Sequence, residues 1–125
     1  MKKIAIIGAS ELQNPLILKA KEMGYETHVF AWECGDIGEK TADYFYPISI
    51  AEKEKILEKC KEINVDADCT IASDLGNVVA SFVARQMGLP ANSEYCIKVS
   101  SNKYEMRKAF AEHNIAVPYF VEISN

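Results

Sequence analysis

The chain has 125 residues, a length that supports a single hydrophobic core. Apolar residues make up 49% of it and charged residues 26%, the balance of an ordinary globular protein and not of a disordered or membrane-spanning one. A formal charge of −4, with no basic stripe interleaved with aromatics, gives no electrostatic footprint for nucleic acid.

Met1, Lys2 and Lys3 precede a short apolar run, Ile4 to Ile7, that ends at Gly8. The run is too short for a signal-peptide core, and no stretch approaches the ~18 apolar residues of a membrane span, so a cytoplasmic protein without membrane contact is expected. A short continuous apolar run suits a central parallel strand covered on both faces. Leu12, Leu16, Ala20 and Met23 then recur at helical spacing, with Gly24 just past the end. Two starts are open for this helix. Ser10 with Gln13 has the spacing of a capping box, whereas Asn14 as cap with Pro15 in first place avoids the backbone bond that proline would lose.

A second strand is expected over Thr27 to Ala31 and a third near Tyr44 to Ile48, separated by a loop rich in Gly and acid. Ser49 and Glu52 read as a capping box before a helix that buries Ile56, Leu57, Cys60 and Ile63. A fourth strand spans about Ala67 to Ala72. Asp74 reads as the cap of a helix carrying Leu75, Val78, Val79, Phe82, Val83 and Met87, stopped by Gly88 and Pro90. Ser93 to Val99 reads as one or two helical turns. Asn102 with Glu105 caps a last helix that turns Met106, Ala109 and Phe110 inward and ends at Asn114 and Pro118. Val117, Tyr119, Val121 and Ile123 alternate like a half-buried strand.

Strand and helix alternating in this way predict a parallel sheet with helices on both faces. Ligands in such sheets gather beyond the carboxyl ends of the strands, where strand order reverses. That point is expected between the first and fourth strands, at the loops Gly8 to Gln13 and Ser73 to Asn77.

The first loop fails as a dinucleotide fingerprint. Gly8 and Glu33 stand where the first glycine and the ribose-binding acid belong, but Ser10 and Gln13 replace the other two glycines. No G-K-S or G-K-T follows Gly8, and Ile6 and Ile7 stand where a phospho-acceptor domain would need acids. Cys34, Cys60, Cys69 and Cys96 are scattered, with no metal-ligand spacing, and are expected to be reduced thiols packed as small hydrophobes. His28 and His113 have no partner for acid-base work that the sequence places beside them, and the Glu52 to Lys61 charges read as a solvated helix face. Trp32, Glu33 and Cys34 open the loop after the second strand and could border a ligand.

Ile6-Ile7-Gly8-Ala9-Ser10-Glu11-Leu12-Gln13, Ala42-Asp43-Tyr44-Phe45-Tyr46, Ala72-Ser73-Asp74, Gly88-Leu89-Pro90-Ala91-Asn92 and Asn102-Lys103 follow one another along the whole chain. Together they resemble the N-terminal, pre-ATP-grasp domain of ATP-grasp ligases, the family of the carbamoyl phosphate synthetase large subunit, biotin carboxylase and the purine-pathway carboxylate-amine ligases. The resemblance implies a Rossmann-like three-layer sandwich with a parallel sheet of four to five strands over residues 1–100. Residues 101–125 would be the connecting helix and first strand leading to an ATP-grasp domain of the same polypeptide.

The resemblance further implies an enzyme that activates a carboxylate as an acyl phosphate for attack by an amine. ATP and Mg2+ would be held mainly by the other domains, and this chain alone would not be catalytic. A small-molecule carboxylate or amine is the implied ligand, and a homodimer is an assembly the resemblance allows. Gly8, Ser10, Glu11, Leu12, Ser73 and Asp74 are the candidate substrate contacts; no catalytic residue and no metal ligand is expected. Gly8 is also required by the turn itself, Glu11 also suits a helix dipole, and Asp74 also suits an N-cap. Lys103 opposes the dipole at the start of its helix, where the resemblance implies a cation that reaches toward ATP. The alternative reading is a self-contained nucleotide or dinucleotide module.

Overall fold

The structure, a computed structural model, describes residues 1–124 and forms two compact units, Met1–Ala91 and a second beginning at Asn92. The boundary drawn at residue 100 falls inside a helix of the second unit.

In the first unit, strands β1 (Lys3–Ile7), β2 (Glu26–Phe30), β3 (Tyr44–Tyr46) and β4 (Ala67–Cys69) form a four-stranded sheet in the order β3-β2-β1-β4. Every pairing is parallel. Helices α1 (Asn14–Glu22), α2 (Ile37–Thr41) and α3 (Lys53–Ile63) connect the strands, and α4 (Asp74–Met87) follows β4. On one face Ala5, Ile7 and Phe30 pack with Ile56 and Cys60 of α3 and with Val79, Ala80 and Val83 of α4. On the other, Ile6 and Val29 pack with Ile17 and Ala20 of α1. The result is the expected α/β, Rossmann-like three-layer arrangement, with strand order reversing between β1 and β4.

Several local expectations shift. The gap between the second and third strands holds α2, where the sequence suggested only loop. Asp36 and Glu39 have capping-box spacing, and the Glu39 carboxylate accepts the Asp36 N–H at 3.1 Å. Pro15 does sit in the first turn of α1, but Asn14 is already helical and Gln13 stands in the cap position without a side-chain cap bond. Helix α1 turns Ile17 and Ala20 inward, leaving Leu12 and Met23 each 62% exposed. The Ser49–Glu52 box is not made. Those residues close a turn, Glu52 N–H to Ser49 O at 2.9 Å, and α3 begins after it.

Ser73, not Asp74, caps α4, its hydroxyl accepting the Gly76 N–H at 2.9 Å. The buried stripe of α4 is Gly76, Val79, Ala80, Ser81, Val83 and Ala84, with Leu75 exposed. Small residues face inward because the helix approaches the sheet closely: a Cβ on Gly76 would lie 2.8 Å from Thr70 Oγ1. Of the cysteines, Cys60 is buried and Cys69 partly so, whereas Cys34 and Cys96 are exposed.

The second unit contains α5 (Glu94–Ser101) and α6 (Lys103–Glu112), capped by the side chains of Ser93 and Asn102. Helix α6 buries none of its residues, Met106, Ala109 and Phe110 included. The alternation from Val117 to Ile123 does not become a strand: Tyr119 is 93% and Ile123 86% exposed, and a strand needs a neighbour to take its backbone bonds. Among the described residues no helix is long and apolar enough to cross a membrane.

Candidate functional site

The switch point between β1 and β4 opens a cleft of about 310 Å³. It is built chiefly from three loops, with Ser49 and Ile50 added from the segment after β3. The first leaves β1 through Gly8, whose φ of +107° is a conformation that side chains other than glycine's rarely tolerate. Gly8 N–H donates to Phe30 O at 2.8 Å, so the turn is anchored to the end of β2. The second loop, Trp32 to Asp36, leads into α2. Glu39 Oε1 gathers the N–H groups of Cys34 at 2.9 Å and Gly35 at 2.8 Å, which holds its carboxyl below the usual range. Gly38 N–H donates to Ala9 O at 2.8 Å, and a Cβ there would meet that oxygen at 2.5 Å, so α2 lies directly against the first loop. The third loop, Thr70 to Ser73, joins β4 to α4. Thr70 Oγ1 donates to Ile7 O at 2.6 Å, and Ala72 takes the left-handed conformation, φ +57°.

Of the substrate candidates, Gly8, Ser10, Leu12 and Ser73 line this cleft together. Asp74 lines an adjoining depression of about 450 Å³ with Thr70, Ser73 and Asn77. Glu11 lies exposed in the first loop and lines neither hollow. Lys103 is the exposed first residue of α6, in the second unit. Trp32, read as a possible border, does line the cleft and is 71% exposed.

Asp36, Ser49, Ile50 and Ala72 join the site from outside the loops that the sequence marked, and Gln13, at the end of the first of them, was not among the substrate candidates. Gln13 is only 5% exposed; its Oε1 accepts from the Ser10 hydroxyl at 2.6 Å and the Ser10 N–H at 3.1 Å. Its Nε2 donates to Ile71 O at 2.9 Å, joining the first and third loops. The available signal was the departure from glycine at that place of the fingerprint. Asp36 is the one charged side chain among the described residues lining the cleft, and none of them is Lys, Arg or His. Asp36 also bonds the Cys34 thiol and raises its pKa, and a thiol kept protonated is a poor nucleophile. Among the described residues no cluster of three His, Cys, Asp or Glu could hold a metal ion. The cleft can therefore bind and orient a small molecule, with polar groups from three loops and an indole at its rim.

No protein-family model matches the chain, and no curated protein matches its sequence. Solved structures do match. Phosphoribosylglycinamide synthetase from Anaerococcus prevotii superposes with a TM-score of 0.78 at 28% identity, over 90% of this chain and 29% of that one. N5-carboxyaminoimidazole ribonucleotide synthetase from Thermotoga maritima gives 0.76 at 22%, over 95% and 32%. L-amino acid ligase from Bacillus licheniformis gives 0.82 at 18%, over 98% and 33%. This chain thus spans about a third of the length of these proteins. These neighbours do not favour a self-contained dinucleotide module, in keeping with the two missing glycines. Residue pattern, strand order and superposition agree that the chain has the fold of the N-terminal, pre-ATP-grasp domain of ATP-grasp ligases.

Proposed function

We propose that this chain is the substrate-side domain of an ATP-dependent carboxylate-amine ligase, with the cleft between β1 and β4 as its acceptor site. The observation that carries the reading is the position of the cleft: it lies at the switch point of the sheet, in a fold shared with two synthetases and an amino acid ligase. In that reaction class a carboxylate oxygen takes the γ-phosphoryl group of ATP, and an amine nitrogen then attacks the acyl carbon and expels phosphate. The cleft offers no cationic side chain to the oxygens of a triphosphate, since none of its lining residues is Lys, Arg or His. ATP and Mg2+ therefore belong, in this reading, to a separate ATP-grasp domain of the same polypeptide. The chain alone should not hydrolyse ATP.

The roles on this chain are binding and orientation. Ser10 and Ser73 offer hydroxyls from facing loops, Gly8 lets the first loop turn back, and Leu12 supplies an apolar wall. Glu11 and Asp74 stand at the margins, where a carboxylate can attract an ammonium group on the acceptor. Lys103 would approach the nucleotide from the second unit.

Steady-state kinetics of the intact polypeptide test these roles. Ser73→Tyr should raise the KM for the acceptor by about tenfold or more by filling the cleft, with the KM for ATP unchanged. Lys103→Glu should do the reverse, raising the KM for ATP while leaving unfolding of the 125-residue chain within about 0.5 kcal/mol, as for most surface substitutions. Micromolar binding of NAD(H), NADP(H) or FAD by the chain would overturn the ligase reading.

A further inference from the structure

We propose that Gln13 is the specificity-determining residue of the cleft: it closes the Gly8 turn to a phosphate group and ties that turn to the loop after β4, so the acceptor carries no phosphate there. The inference rests on the cleft being the acceptor site, and it narrows the class of molecule that site takes.

A phosphate-binding turn presents backbone N–H groups that nothing else uses. In the Gly8 turn the N–H groups of Gly8, Ser10, Leu12, Gln13 and Asn14 are already taken. Ser10 N–H donates to Gln13 Oε1 at 3.1 Å and Leu12 N–H to Ser10 Oγ at 3.2 Å. Gly8 N–H is taken by Phe30 O at 2.8 Å, and the N–H groups of Gln13 and Asn14 both reach Ser10 O at 3.0 Å. The space is filled as well: a Cβ on Gly8 would stand 2.9 Å from Gln13 Cδ and Cγ, so the side-chain amide occupies the concave side of the turn. Charge points the same way. Asp36 is the charged lining residue, and at the start of α4 Ser73 Oγ occupies the Gly76 N–H while Asp74 supplies an acid to the first turn.

The same amide is committed on its other side. Nε2 donates to Ile71 O at 2.9 Å, next to Ala72 with its φ of +57°. A left-handed alanine is unfavourable by itself and persists where its surroundings over-determine it. Gln13 therefore sets the spacing of the two loops between which Ser10 and Ser73 face the cleft. An unphosphorylated amine, donating to hydroxyl and carbonyl oxygens and to Asp36 beside the Trp32 indole, is the acceptor that this wall fits.

Titration of the isotope-labelled chain with inorganic pyrophosphate, followed at the Ala9, Ser10 and Leu12 amides by NMR, tests the closure. The wild-type amides should not move at millimolar pyrophosphate, and Gln13→Gly, which frees the Ser10 N–H and empties the turn, should gain shifts confined to this loop. Wild-type shifts there overturn the proposal, as does a folded Gln13→Gly that stays silent. Gln13→Glu keeps the acceptor and removes the Nε2 donor. It should leave the turn closed yet speed hydrogen exchange of Ile71 to Ser73 roughly fivefold, the factor one net hydrogen bond is worth. Unchanged exchange in Gln13→Glu overturns the tie between loops, whatever Gln13→Gly does. None of these readouts needs ATP or turnover, so they can fail while the ligase reading stands, and the reverse.

Discussion

Tyr44, His28, Ala5 and Asp68 stand in register across the four strands, on the sheet face covered by α3 and α4, and two of them, the buried His28 and the half-buried Asp68, are polar groups with opposite fates. His28, 3% exposed, is fully engaged. Nε2 meets Glu26 Oε1 at 2.7 Å, Nδ1 meets the Tyr46 hydroxyl at 3.0 Å, and the ring stacks on Tyr44 with centroids 4.9 Å apart. In the neutral ring, Nε2 donates to the carboxylate and Nδ1 accepts from the phenol. Asp68 has a buried Oδ2 with no partner, and burial pushes its carboxyl up to about 7, tempered by the Ala84 backbone. The difference is positional. His28 has Glu26 two residues away on its own strand and β3 alongside, whereas β4 has only β1 beside it and Asp68 faces the apolar side of α4. A buried polar group is stabilising where the sheet supplies partners on both sides, and costly at an edge beneath a helix.

Removing the satisfied member should have the largest effect. His28→Ala leaves a cavity and strands the Tyr46 hydroxyl and the Glu26 carboxylate, so chemical denaturation should show a loss of about 2–4 kcal/mol. A loss below the level of a surface substitution would mean that the network adds nothing to the fold.

Asp68→Asn should move stability the other way, and only at higher pH. The folded carboxyl titrates near 7, above its ordinary 3.8. Below 3.8 both states are protonated and burial carries no ionic penalty; between 3.8 and about 7 the unfolded chain gives up its proton first, so stability falls as pH rises. Above about 7 the ionised Asp68 remains buried, and Asn in its place should gain on the order of 1–3 kcal/mol. Thermal unfolding across this range should show the wild type losing stability that Asp68→Asn keeps, with the two converging in acid. Parallel profiles would show that Asp68 is solvated.

The smallest effect belongs to Glu26→Gln, which keeps the shape and removes the charge. It should cost about 0.5–1.5 kcal/mol, the worth of one hydrogen bond, with the Tyr46 contact retained in the NMR spectrum. A cost as large as that of His28→Ala would place the energy of the network in the carboxylate and not in the ring.

Much of this molecule was legible along the chain because the causes are local. The apolar run to Gly8 marks β1 and its turn, Asn102 caps the helix it precedes, and Gly88 closes α4 with φ +70°. Strand and helix alternation carried the sheet class, and the loops at Gly8 and Ser73 do meet at the switch point. Tertiary structure decided what depends on distant partners. Leu75 could head an apolar stripe in sequence, but the closeness of Thr70 selects the face of α4 that carries Gly76 and Ala80. His28 gains Tyr46 only when β3 lies beside β2. Gln13 reads as a failed glycine until Ile71 O comes within 2.9 Å of it, because hydrogen bonds between loops are made by proximity in space, and sequence spacing carries no record of that.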